Sequence, residues 1–330
     1  MPAARVAAIR PQAAIEGGRI TIQGDGFEID GPFLPEVRIG DSRARVVYAS
    51  TNEMAAIVPP GLESGRATVR VAGVTDTAHI DIASAFASGL HQVDNPVFDR
   101  DGNLYVTYSG TRGQQVPVSI FRVRPNGTRE TFSSGIVNPT SMAIDPHGRL
   151  HVSSRFEGTV YRVTEDGSAE PFASDLGVAC GLAFAHDGTL FVGDRSGTIF
   201  RVDDKGRAST FASLPASVAA FHLAFGPDQA LYVTGPTLSS YDVLYRIERD
   251  GTVAATYSAF GRPQGIAFDL RGTLFVVEAL AGASGLYRYR PGGTPDLVLA
   301  GPSLVGVAFS PDGVMVVSSN ETAYRVSRSV

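Results

Sequence analysis

The sequence contains little cysteine and no long apolar run. Cys180 is its only cysteine, so no disulfide can form within the chain and pairing does not indicate a redox compartment. No segment approaches the roughly 18 consecutive apolar residues that a membrane-spanning helix needs. The first residues, Met1–Val6, carry neither the apolar core nor the cleavage site of a secretory signal. We therefore expect a cytoplasmic protein without membrane association, or an extracytoplasmic one if a leader has been removed.

Lysine is also scarce: Lys205 is the only one, and almost all other cations are arginine. This bias indicates either the base composition of the genome or a use for guanidinium chemistry. The formal net charge is −5, which argues against nucleic acid as a partner, because phosphate backbones attract cationic surfaces. The chain also lacks a P-loop, a dinucleotide fingerprint, an HExxH helix and a nucleophile elbow, so none of these enzyme classes is indicated.

Glycine, by contrast, is abundant. The 330 residues include 37 glycines and 20 prolines, and these are not concentrated in any low-complexity tract. Regularly placed turns joining many short elements are typical of all-β proteins. The length is more than one ordinary domain needs and is suited to two.

A repeated unit occupies most of the chain. One copy, Pro96–Val106, reads as a short apolar segment, a turn and a second strand. Further copies lie at Met142–Val152, Leu182–Val192, Leu223–Val233, Ile266–Val276 and Val307–Val317. The turn positions are Gly102, Gly148, Gly188, Ala230, Gly272 and Gly313, spaced 46, 40, 42, 42 and 41 residues apart. Several short strands in each period of about 40–45 residues are typical of a propeller blade.

A second signature follows each unit, an aromatic residue, an arginine and then an apolar or aromatic residue. Its copies are Phe121–Val123, Tyr161–Val163, Phe200–Val202, Tyr245–Ile247, Tyr287–Tyr289 and Tyr324–Val326. Turns such as Asn126-Gly127 supply the positive φ of a tight hairpin, and a fourth strand such as Glu130–Ser133 follows. We interpret the recurring arginines as packing within or between blades rather than as a nucleic-acid patch.

The repeat predicts six blades over residues 83–330, with the ring closed by the start of the propeller. The sixth copy ends before its fourth strand. The missing strand is found at Ser84–Ser88, which matches the fourth-strand segment Glu170–Ser174. Such a closure removes two exposed sheet edges. We therefore predict an all-β chain whose last blade is completed by this N-terminal strand.

Residues 1–80 show a different pattern. An alternating strand follows Gly17-Gly18 and leads into Gly24–Phe27. A hairpin is predicted from Val37–Gly40 to Ala44–Tyr48, then a turn at Val58–Gly61 and a last strand at Gly65–Val71. These features resemble the TIG/IPT signature, which implies a small immunoglobulin-like β-sandwich that acts as a spacer or interaction module. The repeat region resembles six-bladed propellers of the NHL and gluconolactonase-like class.

The strand order of a propeller places the residues that lead into the first strand and those that leave the second strand on one face. The candidate ligand-binding residues on this channel mouth are Asn95, Tyr108, Arg155, Arg195, Gln264 and Asn320. Convergent polar groups at a concave site favour ligand binding. The candidate catalytic bases are Asp94, Asp194 and Glu278. For Asp194 and Glu278 the alternative is a solvated carboxylate, or one paired with an arginine.

The gluconolactonase resemblance implies a divalent cation at the mouth. Asp94–Asp99 is similar to the Glu-Gly-Pro-Val-Trp-Asp motif of that family, which assigns the carboxylate ligand to Asp94. The other ligand positions fall on Thr140, Cys180 and His222. The resemblance thus implies calcium, whereas a set of Asp94, Cys180 and His222 suits a softer metal such as zinc.

Structural interpretations of the same three residues stay open. Cys180, beside Gly181, fits a small buried filler of the core. His222 is equally suited to a hydrogen bond with a neighbouring blade, and Asp94 to capping a turn before Pro96.

Two functions follow from these alternatives. The first is a protein whose propeller mouth binds a small molecule or a protein, positioned by the TIG/IPT domain. The second is a metal-dependent, lactonase-like hydrolase with the cation at the mouth. RNA binding by an NHL-type propeller is disfavoured by the net charge.

Overall fold

The computed structural model describes residues 4–29, 31, 33–280 and 282–326. These residues form 32 β-strands and no helix, so the prediction of an all-β protein is confirmed. No helix in this part of the chain has the length and apolar character needed to cross a membrane.

Eight strands build the N-terminal sandwich. They are β1 (Arg5–Arg10), β2 (Ala13–Ala14), β3 (Arg19–Asp25), β4 (Val37–Ile39), β5 (Ser42–Ala49), β6 (Glu53–Ile57), β7 (Gly65–Val71) and β8 (Ala78–Ile82). Their sheet order is β1-β3-β6-β5-β4-β7-β8-β2. Side chains alternate along β3, so that Ile20 and Ile22 face a core with Ile39 and Met54. The predicted hairpin is present, with Val37 opposite Ala44.

The remaining strands form the propeller. They are β9 (Ser84–Ser88), β10 (Val97–Phe98), β11 (Leu104–Thr107), β12 (Ile120–Val123), β13 (Arg129–Ser133), β14 (Pro139–Ile144), β15 (Leu150–Ser154), β16 (Thr159–Val163), β17 (Ala169–Ala173), β18 (Ala179–Phe184), β19 (Leu190–Asp194), β20 (Thr198–Val202), β21 (Ala208–Ser213), β22 (His222–Phe225), β23 (Leu231–Thr234), β24 (Asp242–Ile247), β25 (Val253–Phe260), β26 (Pro263–Phe268), β27 (Leu274–Glu278), β28 (Gly285–Tyr289), β29 (Asp296–Ala300), β30 (Leu304–Phe309), β31 (Met315–Ser319) and β32 (Thr322–Val326).

Five four-stranded sheets stand separately as blades. The first four are β10–β13, β14–β17, β18–β21 and β22–β25, and a closing blade consists of β30, β31, β32 and β9. The prediction of six separate blades is wrong in number. Strands β26–β29 belong instead to a twelve-stranded shared sheet, because β2 pairs with β29 on one side and with β8 of the sandwich on the other. The repeat pattern alone does not reveal this continuation.

The ring closes through β9. This strand pairs antiparallel with β32, with Ser88 opposite Thr322 and Ser84 opposite Arg325. The inner strands β10, β14, β18, β22, β26 and β30 contact one another in that order, and β30 contacts β10. The prediction that Ser84–Ser88 completes the last blade is confirmed.

Aspartates shape the turns between first and second strands. Oδ1 of Asp99 accepts the backbone N–H groups of Asp101 and Asn103 at 3.0 and 2.8 Å, and Asp145 and Asp269 repeat the arrangement. The glycine within each of these turns has a positive φ. In the fourth blade this conformation belongs to Gln229 (φ 66°) and not to Ala230, so the assignment of that turn position to Ala230 is wrong by one residue.

The recurring arginines act within the blades, as predicted. Each of three reaches a carboxylate opposite it on the fourth strand of its own sheet. The pairs are Arg122–Glu130, Arg162–Glu170 and Arg288–Asp296. Arg325 instead lies over the ring of Phe86, 4.0 Å from its centroid, and so strengthens the closure.

Candidate functional site

The segment leading into β10 crosses the central channel and is fixed there by Asn95. The Asn95 amide donates to Ile266 O at 2.7 Å, and its Oδ1 accepts Val307 N–H at 2.9 Å. The approach requires two glycines, since a Cβ at Gly306 would lie 2.7 Å from Asn95 Cα and one at Gly265 would meet Asn95 Oδ1. Asn95 is therefore a structural anchor at the channel axis.

Beside this anchor, Asp94 meets His222 from the opposite side of the ring. Asp94 Oδ1 lies 2.5 Å from His222 Nδ1, and the two side chains are 2% and 0% exposed. Oδ1 also accepts the Asn95 N–H at 2.7 Å. The other ring nitrogen, His222 Nε2, is buried and has no hydrogen-bond partner.

The Asp94–His222 pair lies between two cavities. Gln92 and Val93 line one on the mouth side, while Asn95 and Pro96 line one on the other side. The other inner strands divide in the same way; Cys180, for example, faces the mouth and Leu182 the far side. The two cavities share no lining residue, and we call the one on the mouth side the mouth cup.

The mouth cup has a volume of about 490 Å³. It is lined by polar, apolar and cationic side chains contributed from around the ring. They are Gln92, Val93, Arg112, Asn138, Thr140, Arg155, Phe156, Val178, Cys180, Arg195, Val218, Ala219, Ala220, Gln264, Val305 and Asn320. A cavity of this size accommodates one small organic molecule.

Three arginines reach the mouth cup from consecutive blades. Arg155 and Arg195 each follow the second strand of their blade, while Arg112 comes from the long loop after β11. Asn138 holds that loop: its amide donates to Ser109 O and Thr111 O at 2.6 and 2.7 Å, and its Oδ1 accepts Gly113 N–H at 2.6 Å. Arg112 is positioned by this loop anchor.

The electrostatics of the cup are those of a positive site. Burial lowers the pKa of the Arg155 guanidinium below its usual range, and the charges of Arg195 and Arg112 lower it further, against an opposing influence of Cys180. Burial also raises the pKa of the Cys180 thiol to about 12. Cys180 therefore lines the cup as a neutral thiol at physiological pH.

Two of the three predicted bases hold backbone in place. Glu278 accepts the N–H groups of Gly261, Arg262 and Leu280 at 2.6–2.7 Å. Asp194 accepts Val178 N–H at 2.7 Å and the Ser196 hydroxyl. Both carboxylates are buried and neither lines the cup. Their geometry is that of braces for the loops at the mouth.

Of the three predicted metal ligands, the structure pairs two. Asp94 and His222 bind each other, whereas Cys180 lines the cup, which neither of them lines. Among the residues that the structure describes, no three His, Cys, Asp or Glu side chains form a group that could hold a metal ion. Although His222 Nε2 is a buried nitrogen without a partner, it has no companion ligands. These residues do not fit the calcium site that the resemblance implied or the zinc site that their own chemistry suggested.

The other predicted ligand-binding residues separate into two groups. Arg155, Arg195, Gln264 and Asn320 line the cup. Asn95 does not line it, and the ring of Tyr108 makes T-shaped contacts with the rings of His91 and Phe121. Sequence reasoning missed Arg112 and Asn138, although the long loop between β11 and β12 was a signal that could have drawn attention to Arg112.

Comparison with known proteins identifies the two parts of the chain at the level of fold. Residues 5–84 match the IPT/TIG domain, and no curated protein matches the chain significantly. An auxiliary nutrient binding protein from Bacteroides ovatus is similar over 98% of this chain and 97% of its own (13% identity, TM-score 0.55).

Two further solved structures resemble the propeller. The alignment with a gluconolactonase from Xanthomonas campestris covers 73% of this chain and 88% of the gluconolactonase, with 16% identity and a TM-score of 0.61. The alignment with a virginiamycin B lyase from Staphylococcus aureus, crystallised with quinupristin, covers 80% of this chain and 92% of the lyase, with 15% identity and a TM-score of 0.53. At these identities the likeness shows a β-propeller fold. Assignment of the repeats to the NHL class stays a prediction.

Proposed function

We propose that this protein binds one small organic molecule in the mouth cup. The observation that carries the proposal is the cavity of about 490 Å³ at the channel mouth, lined by side chains from around the ring. Ligand sites in proteins are concave, between about 300 and 1,000 Å³, and combine apolar walls with a few polar groups. In the cup, Gln264 and Asn320 supply amides, and Phe156 and Val305 supply apolar surface.

The full-length likeness to an auxiliary nutrient binding protein supports a binding role. In this chain, the sandwich is joined to the propeller through β2, which is hydrogen-bonded into both. We propose that the IPT/TIG domain serves as a rigid support that fixes the direction in which the mouth faces.

The ring around the cup draws on the shared sheet as well as on the five separate blades. Gln264 lies on β26, which contacts β22 on one side and β30 on the other. We propose that β26–β29 serve as a sixth blade whose outer edge has been extended into the sandwich.

A cup-filling variant tests the binding site. Ala219 lines the cup and is exposed, whereas Ala254 is exposed on the outer strand of the same blade. We expect ligand-observed NMR with a library of small acids, amides, sugars and lactones to give binders. Binding should be lost in Ala219→Trp, because the indole occupies the cavity, and retained in Ala254→Trp. Binders that persist in Ala219→Trp, or a library without binders, would contradict the proposal.

Hydrolysis of a lactone or related ester is the second candidate. It is favoured by the Asp94–His222 pair, since a carboxylate on Nδ1 leaves Nε2 free to exchange a proton. Substrate would have to reach a nitrogen that is now enclosed. A lactone panel assayed with and without calcium and zinc separates this candidate from simple binding: turnover lost in His222→Ala supports it, and uniformly flat rates reject it.

A further inference from the structure

The cup discriminates by charge. Resting on the binding function proposed above, we infer that its ligand is a small organic anion with a carboxylate or phosphate group on an apolar body, and that Arg112, Arg155 and Arg195 hold the charged end. Arginine suits this chemistry because its planar guanidinium makes paired hydrogen bonds with carboxylate and phosphate oxygens.

The first observation is the sign of the lining charges. Among the residues that the structure describes, every charged side chain that lines the cup is an arginine, and no aspartate or glutamate lines it. This occurs in a chain whose formal net charge is −5, with more acidic than basic residues. Asp94 and Asp194, whose charges act on Cys180 of the cup, bind His222 and loop backbone instead.

The second observation is that these arginines lack partners. Around the larger cleft of about 780 Å³ at the first and second blades, by contrast, four arginines are paired with carboxylates. The pairs at that cleft are Arg122–Glu130, Arg124–Glu130, Arg149–Asp145 and Arg162–Glu170. In the described part of the chain, Arg112, Arg155 and Arg195 make no side-chain hydrogen bond or ion pair. Their donors are available to a ligand.

The third observation is that the arrangement is unfavourable without an anion. Arg155 is half-buried, and its charge is destabilised both by burial and by Arg195 and Arg112. The same field reaches His91, where burial and Arg155 lower the pKa of the imidazole. A bound anion would offset this repulsion, whereas a divalent cation would add to it.

Apolar surface around the arginines defines the rest of the ligand. Phe156 and Val218 line the cup and are 54% and 40% exposed, and Val93, Val178 and Val305 continue this surface. An inorganic ion would leave this surface wet, while an organic acid would cover it and gain from its burial.

The test compares matched probes by isothermal titration calorimetry. These are 4-phenylbutyrate, its neutral amide, phenyl phosphate and inorganic phosphate. We expect an organic anion to bind at least about tenfold more tightly than the amide, the effect of one or more charge-assisted hydrogen bonds. Arg155→Gln and Arg195→Gln should each weaken it by about tenfold. Arg271→Gln, an exposed arginine on the opposite face, should have no effect.

The outcomes separate the two proposals. If 4-phenylbutyrate binds more tightly than phenyl phosphate, the preferred group is a carboxylate; if phenyl phosphate binds more tightly, it is a phosphate. Equal binding of acid and amide, both abolished by Ala219→Trp, overturns the anion inference but supports a binding cup. Anion binding that survives Ala219→Trp overturns both the binding cup and the anion inference. If inorganic phosphate binds as tightly as phenyl phosphate, the inference of an apolar body is wrong. If no anion binds, the inference is wrong, and the library screen decides the binding function.

Discussion

Side chains of the second strands pack against aromatic rings of the next blade. Phe191 lies against Phe225, Tyr232 against Phe268 and Phe275 against Phe309. In the second blade the same place is taken by His151, which is 2% exposed and touches the rings of Phe172 and Phe184. A titratable ring thus occupies an aromatic position between blades.

This histidine should make stability depend on pH. Burial lowers the pKa of His151 from its usual 6.5 to about 4, so the unfolded state binds the extra proton between these values. Stability is then complete above pH 6.5 and is lost as pH falls towards 4, by up to about 3 kcal/mol. His151→Phe should remove this contribution to the pH dependence of the free energy of unfolding, measured by chemical denaturation at several pH values between 4 and 7.

The control is His186→Gln, which alters an exposed histidine in the next blade and should keep the wild-type slope. An unchanged slope in His151→Phe would show that His151 does not carry the effect.

At the scale of elements, the ring is held by strands that complete one another. β9 supplies the fourth strand of the closing blade from a position more than 230 residues before β32. Its pairing with β32 shifts register between Ala87 and Ala85, as at a β-bulge, so that Ala87 packs in a core with Val316 and Ala323 while Ala85, two residues earlier, faces solvent. The closure therefore depends on burial along one side of a five-residue strand.

Two alanines on that strand test the closure. Ala87→Asp should lower the free energy of unfolding by roughly 3 kcal/mol, since it places an unpaired charge in the core. Ala85→Asp should change it by less than about 0.5 kcal/mol, as an exposed substitution. Urea denaturation of both variants measures the difference. Similar midpoints for the two would mean that β9 is not required to close the ring.

At the scale of the whole molecule, β2 connects two hydrophobic cores. Ala13 packs with propeller residues such as Leu299, whereas Ala14 packs in the sandwich core. Ile15 N–H donates to Ala300 O at 3.0 Å, and Ala83 N–H donates to Ala14 O at 3.0 Å. We expect this joint to make sandwich and propeller unfold together.

Calorimetry tests the coupling. The wild-type chain should show one thermal transition, and Ala14→Asp should show two, because the buried charge separates the cores. Gln12→Asp, an exposed change two residues earlier, should keep a single transition. Two transitions in the wild type would show that the domains unfold independently.

Local rules were enough to predict much of the architecture. Turn glycines, alternating strands and the match of Ser84–Ser88 to other fourth strands depend on short-range backbone geometry, which repeats wherever the pattern repeats. The same reasoning placed Arg155, Arg195, Gln264 and Asn320 at the mouth. It failed at Ala230, because Gln229 adopts the positive φ that a glycine has in the other turns.

By itself, then, the amino-acid sequence determined the strand period, the ring closure and the face on which polar residues gather. Only the tertiary structure decided that Asp94 would meet His222, 128 residues away, and that the arginines at the mouth would be left without partners. It also decided that β2 would join β29 to the sandwich. The physical reason is that these contacts depend on how blades and domains are placed in space, and that placement arises only when the whole ring has packed.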